Sequence, residues 1–127
     1  MKLLLDTHSF IWFMNGETSL SQKAKELIED ASNEKYISVA SIWEMAIKIN
    51  LGRLSVKGGI KKALTDISSN NFTELNISSE LLLIVEQLPH HHRDPFDRLL
   101  ISQAIFEKMA IVSKDPEFKK YNISVIW

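Results

Sequence analysis

The chain has 127 residues, enough for one domain with a buried core and too few for two. Its formal net charge is −1, from 15 basic and 16 acidic residues, which excludes a protein that coats nucleic acid by bulk charge but allows a local basic rim. The absence of cysteine excludes disulfides and thiolate zinc sites. No apolar run is long enough to span a bilayer, and the first residues lack the pattern of a signal peptide, so we expect a cytoplasmic protein with no membrane contact.

The first half of the chain predicts two strands and four helices. The strands are short apolar runs over 2–5 and 36–39. Helical spacing of apolar residues predicts helices over 7–14, from position 19 or 21 to 31, over 41–51 and over 60–67. Ser19 or Ser21 can cap the second helix, and Ser41 with Glu44 fits a capping box at the start of the third.

The second half predicts three more strands and two more helices. Strands are expected over 72–77, 110–113 and 123–126, and a helix is expected from Ser78 or Ser79 to Leu88. Another helix opens at Asp94, a good N-cap that is followed by Pro95 at the first helical position. Apolar residues lie on nearly every face of this helix, which predicts that it is buried.

Strands that alternate with helices indicate an α/β protein. We expect a single domain over 1–127 with three layers, α/β/α, around a mostly parallel central sheet of about five strands. In such sheets the working site lies at the carboxyl ends of the strands.

Four acidic residues fall close to the predicted strand ends. Asp6 follows the first strand, Glu44 lies in the helix after the second, Asp97 opens the helix before the fourth, and Asp115 follows the fourth. Each has a structural alternative, because such acids also cap helices, favour the positive helix end or complete a capping box. These alternatives do not predict that the four residues meet, whereas a parallel sheet places all of them at one edge.

A cluster of four carboxylates indicates a metal site. Like charges repel one another, and a hard divalent cation removes that cost. Oxygen ligands without cysteine or paired histidines suit Mg²⁺ or Mn²⁺ rather than zinc. The chemistry indicated is metal-assisted hydrolysis of a phosphate ester.

The sequence also resembles a known family, the PIN domain, and more narrowly a VapC-like toxin ribonuclease of bacterial type II toxin–antitoxin systems. The resemblance covers essentially the whole chain and is carried by five segments in the expected order: 3–8 (LLLDTH), 38–46 (SVASIWEMA), 51–54 (LGRL), 92–100 (HRDPFDRLL) and 112–115 (VSKD). It implies a PIN-like α/β/α fold and endonucleolytic cleavage of RNA that depends on Mg²⁺ or Mn²⁺. It also implies a cognate antitoxin protein and a homodimer.

The resemblance assigns roles residue by residue. Asp6, Glu44, Asp97 and Asp115 match the family's acidic quartet and are the expected catalytic residues and metal ligands. Three further residues are expected to support the quartet through contacts with its members rather than by binding the metal: Asp94, Ser113 and Thr7. Ser113 stands where many members carry threonine, so the hydroxyl is retained.

Several basic and aromatic residues have two interpretations. Arg93 and Arg98 could hold RNA phosphates or pair with Asp94 or Asp97, and Lys48 and Arg53 belong to a basic stretch that could follow an RNA backbone or form a solvated face. His90, His91 and His92 could touch phosphate or metal, but a solvated loop is the favoured interpretation. The tryptophans at 12 and 43 are assigned to the core or to a partner surface rather than to base stacking.

Other functions stay open. A haloacid-type phosphatase or a receiver domain is disfavoured, because position 8 is histidine and Asp6 has no acidic neighbour. A non-catalytic interaction module would use the acids only as caps. A PIN nuclease of RNA maturation or of structured DNA would lack the toxin role, and a small antitoxin gene immediately upstream would distinguish the two. The sequence does not identify the RNA target, the cleavage position, the number of metals, the antitoxin or the oligomeric state.

Overall fold

The computed structural model describes all 127 residues, and its centre is a five-stranded parallel sheet. The strands are β1 (Lys2–Leu5), β2 (Glu34–Ser38), β3 (Phe72–Leu75), β4 (Ala110–Val112) and β5 (Val125–Ile126). Their order in the sheet is β3-β2-β1-β4-β5, so β1 occupies the middle position. The predicted α/β fold is confirmed, and the sheet is parallel throughout.

Six α-helices surround the sheet. They are α1 (Thr7–Asn15), α2 (Gln22–Glu29), α3 (Val39–Asn50), α4 (Gly59–Ser69), α5 (Leu81–Gln87) and α6 (Pro95–Glu107), and a short 3₁₀ helix (Pro116–Lys120) follows β4. Gly16 ends α1 in the left-handed conformation, with φ of 64°, which a residue without Cβ adopts at little cost. None of the helices combines the length and the apolar character needed to cross a bilayer.

The two faces of the sheet carry separate apolar cores. Leu3 and Leu5 point to the face covered by α1 to α4, where Phe10, Met45 and Ile67 are buried with them. Leu4 points to the opposite face, where it packs with Leu100, Ile101 and Ala104 of α6. This alternation follows from the two-residue period of a strand, and it produces the three layers that the sequence predicts.

Two helix predictions are wrong at their starts. The capping box of Ser41 and Glu44 does not form, because α3 begins earlier and is capped by Ser38, whose hydroxyl accepts the Ala40 N–H at 3.0 Å. Glu44 is therefore free of any capping role. No serine side chain caps α5, which begins at Leu81 rather than at Ser78 or Ser79.

The last long helix, α6, is less buried than its composition predicts. Ile105 and Phe106 are 38% and 44% exposed, although both belong to the apolar set that suggested burial on all sides. The reason is the layer architecture, since α6 packs on one face of the sheet and turns its other side to solvent. Asp94 caps this helix and Pro95 occupies its first turn, as predicted.

Candidate metal centre

The site begins where the two central strands end. Asp6 follows β1 directly, and its N–H donates to the carbonyl of Val112, the last residue of β4, at 3.2 Å. The Asp6 carboxylate caps α1 by accepting the Ser9 N–H at 2.9 Å. Burial raises the pKa of Asp6, against hydrogen bonds with Ser113 and Ser9 that lower it. Asp6 is thus both a cap and a buried carboxylate at the carboxyl edge of the sheet.

Glu44 reaches the same edge from α3. Its side chain is buried, and the hydroxyl of Thr7 donates to Oε1 at 2.6 Å. Lys48, one turn further along α3, places Nζ 2.7 Å from Oε2. Both oxygens of Glu44 are therefore held, one by a hydroxyl and one by an ammonium group.

Asp97 differs from the other acids because its carboxylate has no hydrogen-bond or salt-bridge partner in the protein. It lies in the first turn of α6, where the Asp94 carboxylate accepts the N–H groups of Phe96 and Asp97 at 2.8 and 3.2 Å. The one basic residue whose charge acts on the Asp97 carboxylate is His92, and the two side chains form no hydrogen bond. Burial, followed by the charges of Asp94, Glu44 and Asp6, raises its pKa from 3.8 to about 7, although His92 acts in the opposite direction.

The structure brings the four predicted acids to one edge of the sheet, and two of them, Asp97 and Asp115, lie in one close cluster with His92. The charges of Glu44 and Asp6 are close enough to Asp97 to raise its pKa, and ligand atoms of Asp97 and Asp115 lie within 4.8 Å of each other. Asp115 caps the 3₁₀ helix by accepting the Glu117 N–H at 2.9 Å, and its own N–H donates to the Ser113 hydroxyl at 3.0 Å. Capping and convergence are thus compatible rather than alternative roles.

Sequence reasoning missed His92. The ring is 8% exposed, with Nε2 3.1 Å from Oδ2 of Asp115 and Nδ1 3.2 Å from the hydroxyl of Tyr121. One ligand atom of His92 also lies within 4.8 Å of those of Asp97 and Asp115. The solvated-loop interpretation therefore holds for the exposed His90 and His91 but fails for His92. Its partners are distant in sequence, so no spacing pattern could have identified it.

The buried ring of His92 should contribute measurably to stability. Its imidazole packs 4.7 Å from the Phe118 ring and bonds to Tyr121 and Asp115. We expect His92→Ala to lower the free energy of unfolding by about 2–3 kcal/mol, since it leaves a cavity and unpaired polar groups. Urea unfolding measures this change. The exposed His90→Ala is the control and should stay within about 0.5 kcal/mol of the wild type, and an equal effect of both variants would contradict the buried role.

Arg98 has a role that differs from both interpretations of it. Its guanidinium donates to the carbonyls of Leu88 and Pro89, each at 3.0 Å, and to that of His92 at 3.3 Å. It therefore fastens the segment between α5 and α6 and fixes the backbone of His92. Arg93 and Arg53 are exposed and form no ion pair, so both remain accessible to a polyanion.

The residues present fit a divalent cation. The Asp97 carboxylate has no hydrogen-bond partner and lies near three other acids. One of these acids, Glu44, already pairs with the positive charge of Lys48. Two carboxylates, Asp97 and Asp115, and the imidazole of His92 have ligand atoms within 4.8 Å of one another, and oxygen-rich donor sets with one imidazole suit Mg²⁺ and Mn²⁺. The site is thus an acidic cluster at the carboxyl edge of a parallel α/β sheet, a place where catalytic metals are commonly bound.

Comparison with known proteins places the chain in a family. A profile of the PIN domain matches residues 3–123, and the chain belongs to the PIN domain family. The family resemblance inferred from the sequence is therefore confirmed. No curated protein matches the chain.

Several solved structures share the fold at low sequence identity. VapBC2 from Rickettsia felis, bound to a DNA fragment from their promoter, gives a TM-score of 0.71 at 18% identity, over 99% of this chain and 98% of that chain. VapBC-1 from nontypeable Haemophilus influenzae gives 0.71 at 14% identity, over 99% and 97%. FitAcB from Neisseria gonorrhoeae gives 0.58 at 14% identity, over 98% and 96%. At these identities the likeness establishes the fold.

Proposed function

We propose that the protein is a metal-dependent endoribonuclease and the toxin component of a type II toxin–antitoxin module. The observation that carries the nuclease assignment is the Asp97 carboxylate, which has no hydrogen-bond partner and whose pKa burial and the charges of Asp94, Glu44 and Asp6 raise to about 7. Such an arrangement costs folding free energy and is typical of functional sites. Membership of the PIN domain family supports the same assignment.

The four acids Asp6, Glu44, Asp97 and Asp115 are the proposed ligands of Mg²⁺, with Mn²⁺ as a substitute. A divalent cation in such a site supplies Lewis acidity toward phosphate oxygens and lowers the pKa of water. The protein's own groups orient the ligands: the Thr7 hydroxyl holds Glu44, and the His92 ring holds Asp115. Lys48 neutralises Glu44 at the rim of the cluster.

Exposed apolar side chains support a protein partner. Trp43 and Ile47 on α3 and the C-cap residue Leu51 follow one another at four-residue spacing and are 55%, 37% and 57% exposed. Side chains at this spacing share a helix face, and exposed apolar faces are typical of interaction surfaces. The proposed antitoxin covers this face and places a basic side chain among the acids, as Lys48 does within the chain. The VapBC structures, which share the fold, support a partner of this kind.

A homodimer in the cytoplasm is the proposed assembly. Leu82 and Leu83 on α5 are 50% and 66% exposed. Helix α5 packs on the face of the sheet that α6 covers, opposite the face covered by α1 to α4. These leucines form a second exposed apolar surface, which a copy of the chain could cover while the antitoxin covers the face on α3.

Cleavage of RNA by the purified chain tests the nuclease assignment. We expect cleavage of unstructured RNA with millimolar Mg²⁺ or Mn²⁺ and none with excess EDTA, because the acid cluster binds substrate phosphate only after a cation has neutralised it. Gel analysis of end-labelled RNA measures this, with single-stranded DNA and structured DNA as comparison substrates. Cleavage that continues in EDTA would exclude the metal mechanism, and cleavage of DNA alone would favour the alternative role on DNA.

A further inference from the structure

His92 contacts both ends of the 3₁₀ helix that follows β4. Asp115 caps the start of this helix, and Tyr121 lies at its end. Nε2 of the His92 ring is 3.1 Å from Oδ2 of Asp115, and Nδ1 is 3.2 Å from the hydroxyl of Tyr121. The same hydroxyl accepts the backbone N–H of His92 at 3.0 Å. Both residues are buried, so water competes little for these contacts.

The contact with Asp115 decides which ring nitrogen of His92 carries a proton. A carboxylate only accepts hydrogen bonds, so the imidazole nitrogen that lies 3.1 Å from it is the donor. The opposite tautomer would direct the lone pair of Nε2 at the lone pairs of Oδ2, which repel it. Nε2 therefore carries a proton in the neutral ring and in the charged ring alike. A protonated ring nitrogen has no lone pair for a metal ion.

The Tyr121 hydroxyl supplies the complementary contact at Nδ1. In the neutral ring Nδ1 is an acceptor, and the hydroxyl is the donor that faces it. The hydroxyl has a single proton, and the carbonyl of Pro89, 3.3 Å away, is a second acceptor for it. Arg98 already donates to this carbonyl at 3.0 Å, so the hydroxyl proton is available to the ring. Tyr121 and Arg98 thus favour the tautomer that donates to Asp115.

These contacts orient the Asp115 carboxylate at both of its oxygens. Oδ2 accepts from His92, and Oδ1 accepts the Glu117 N–H at 2.9 Å. Each carboxylate oxygen has a second lone pair, so both remain available to a cation. A ligand that is already oriented loses less conformational freedom when the cation binds.

We propose that Tyr121 is a positioning residue that fixes the imidazole of His92 with its Nε2 proton directed at Asp115, so that His92 orients this carboxylate for a cation and does not bind the cation itself. This inference rests on the proposed metal site and assigns His92 within it. Proximity alone would allow the ring to be a ligand, because its ligand atom lies within 4.8 Å of those of Asp97 and Asp115. The proton on Nε2 excludes that role.

The position of the proton is measured in the full chain without metal. Two-bond proton–nitrogen correlation spectra of protein labelled with ¹⁵N-histidine distinguish the tautomers of an imidazole. His92→Gln identifies the signals of this ring among those of the four histidines. We expect a proton on Nε2 of His92. A neutral ring with its proton on Nδ1 would overturn the proposal.

Pulsed EPR of the chain with bound Mn²⁺ tests whether the ring binds the cation. We expect no nitrogen bonded directly to Mn²⁺. A bonded nitrogen whose signal disappears in His92→Gln would show that the ring is a ligand and would refute the positioning role.

The affinity for Mn²⁺ measures what Tyr121 contributes. We expect Tyr121→Phe to weaken binding about tenfold, as for residues that orient a ligand. Tyr36→Phe is the matched control, because the Tyr36 hydroxyl contacts Glu34 at the surface, and it should bind like the wild type. In the Asp115→Asn background, Tyr121→Phe should have little further effect, because the carboxylate that it orients is gone.

Urea unfolding of the same variants separates positioning from stability. A Tyr121→Phe chain that is less stable but binds Mn²⁺ as the wild type does would leave Tyr121 with a structural role only and contradict the proposal. Failure of the proposed metal site is distinct, since it would appear as a wild type that does not bind Mn²⁺, whereas the proton on Nε2 is measured without metal.

Discussion

Asp97→Asn is expected to lower the rate of Mg²⁺-dependent RNA cleavage by orders of magnitude. The Asp97 carboxylate has no hydrogen-bond partner in the protein, so its oxygens are available to a bound cation. The amide of the variant is a much weaker ligand for Mg²⁺. Asp6→Asn and Glu44→Gln should have comparable effects, and Asp115→Asn a smaller one. Single-turnover cleavage of a labelled RNA with enzyme in excess measures these rates directly.

Asp94→Asn is the informative comparison, because Asp94 lies three residues away on the same turn and caps the helix that carries Asp97. Its amide can still cap α6, and we expect a loss of no more than about 10–100-fold, as for residues that act through a ligand. Asp66→Asn, on α4 and paired with Lys62, should cleave normally. If Asp94→Asn proved more damaging than Asp97→Asn, the two aspartates would have been assigned the wrong roles.

The second large effect is on the stability of the metal-free protein. Asp97 holds its proton with a pKa of about 7 in the folded chain and with its ordinary pKa of 3.8 in the unfolded chain. Between these values the native state binds more protons, so the free energy of unfolding falls as pH rises from about 4 to about 7 and levels off above. Thermal melting in EDTA across this range should show the decline in the wild type and a much smaller one in Asp97→Asn.

Mg²⁺ should reverse the ranking of the two proteins. Removal of one charge relieves repulsion, so at neutral pH the variant should melt above the wild type in EDTA. At a hundred times its dissociation constant Mg²⁺ should stabilise the wild type by about 2.7 kcal/mol and the variant far less. Four melting curves, each protein with EDTA and with Mg²⁺, measure this. A variant less stable in EDTA, with an equal Mg²⁺ shift, would return Asp97 to the role of a first-turn acid that stabilises the helix.

The sequence predicts the architecture of the site well because the positions of its acids follow from local signals. Asp6 and Asp115 come directly after apolar strands, and Asp94-Pro95 marks the start of α6 without reference to the rest of the chain. The start of α3 was misplaced because Ser38 and Ser41 are equally good caps in isolation. Pairing of β2 with its two neighbours ends the strand at Ser38, and local sequence does not contain that information.

The supporting contacts were less predictable because they join distant segments. His92 depends on Asp115 and Tyr121, which follow it by 23 and 29 positions, and Arg98 acts on carbonyls that any residue would offer. The Glu44–Lys48 pair is different, since its four-residue spacing on a helix was visible in the sequence. The sequence analysis assigns Lys48 only to a basic stretch, and its ion pair with Glu44 corrects that assignment.

The order of strands in the sheet also governs when the site can exist during synthesis. β1 pairs with β4, with Leu3 opposite Ala110. The second neighbour of β1 in the sheet is therefore available only after Ala110 and the residues that follow it have been synthesised. The proposed ligands Asp97 and Asp115 and the supporting Tyr121 all lie in the last third of the given sequence. Domains fold as their segments leave the ribosome, and a nascent chain that ends before β4 contains Asp6, Glu44 and Asp97 but lacks Asp115 and Tyr121. The nuclease proposed above would therefore lack its complete acidic cluster, and with it the capacity to cut the messenger RNA that encodes it, until the segment after β4 has been synthesised.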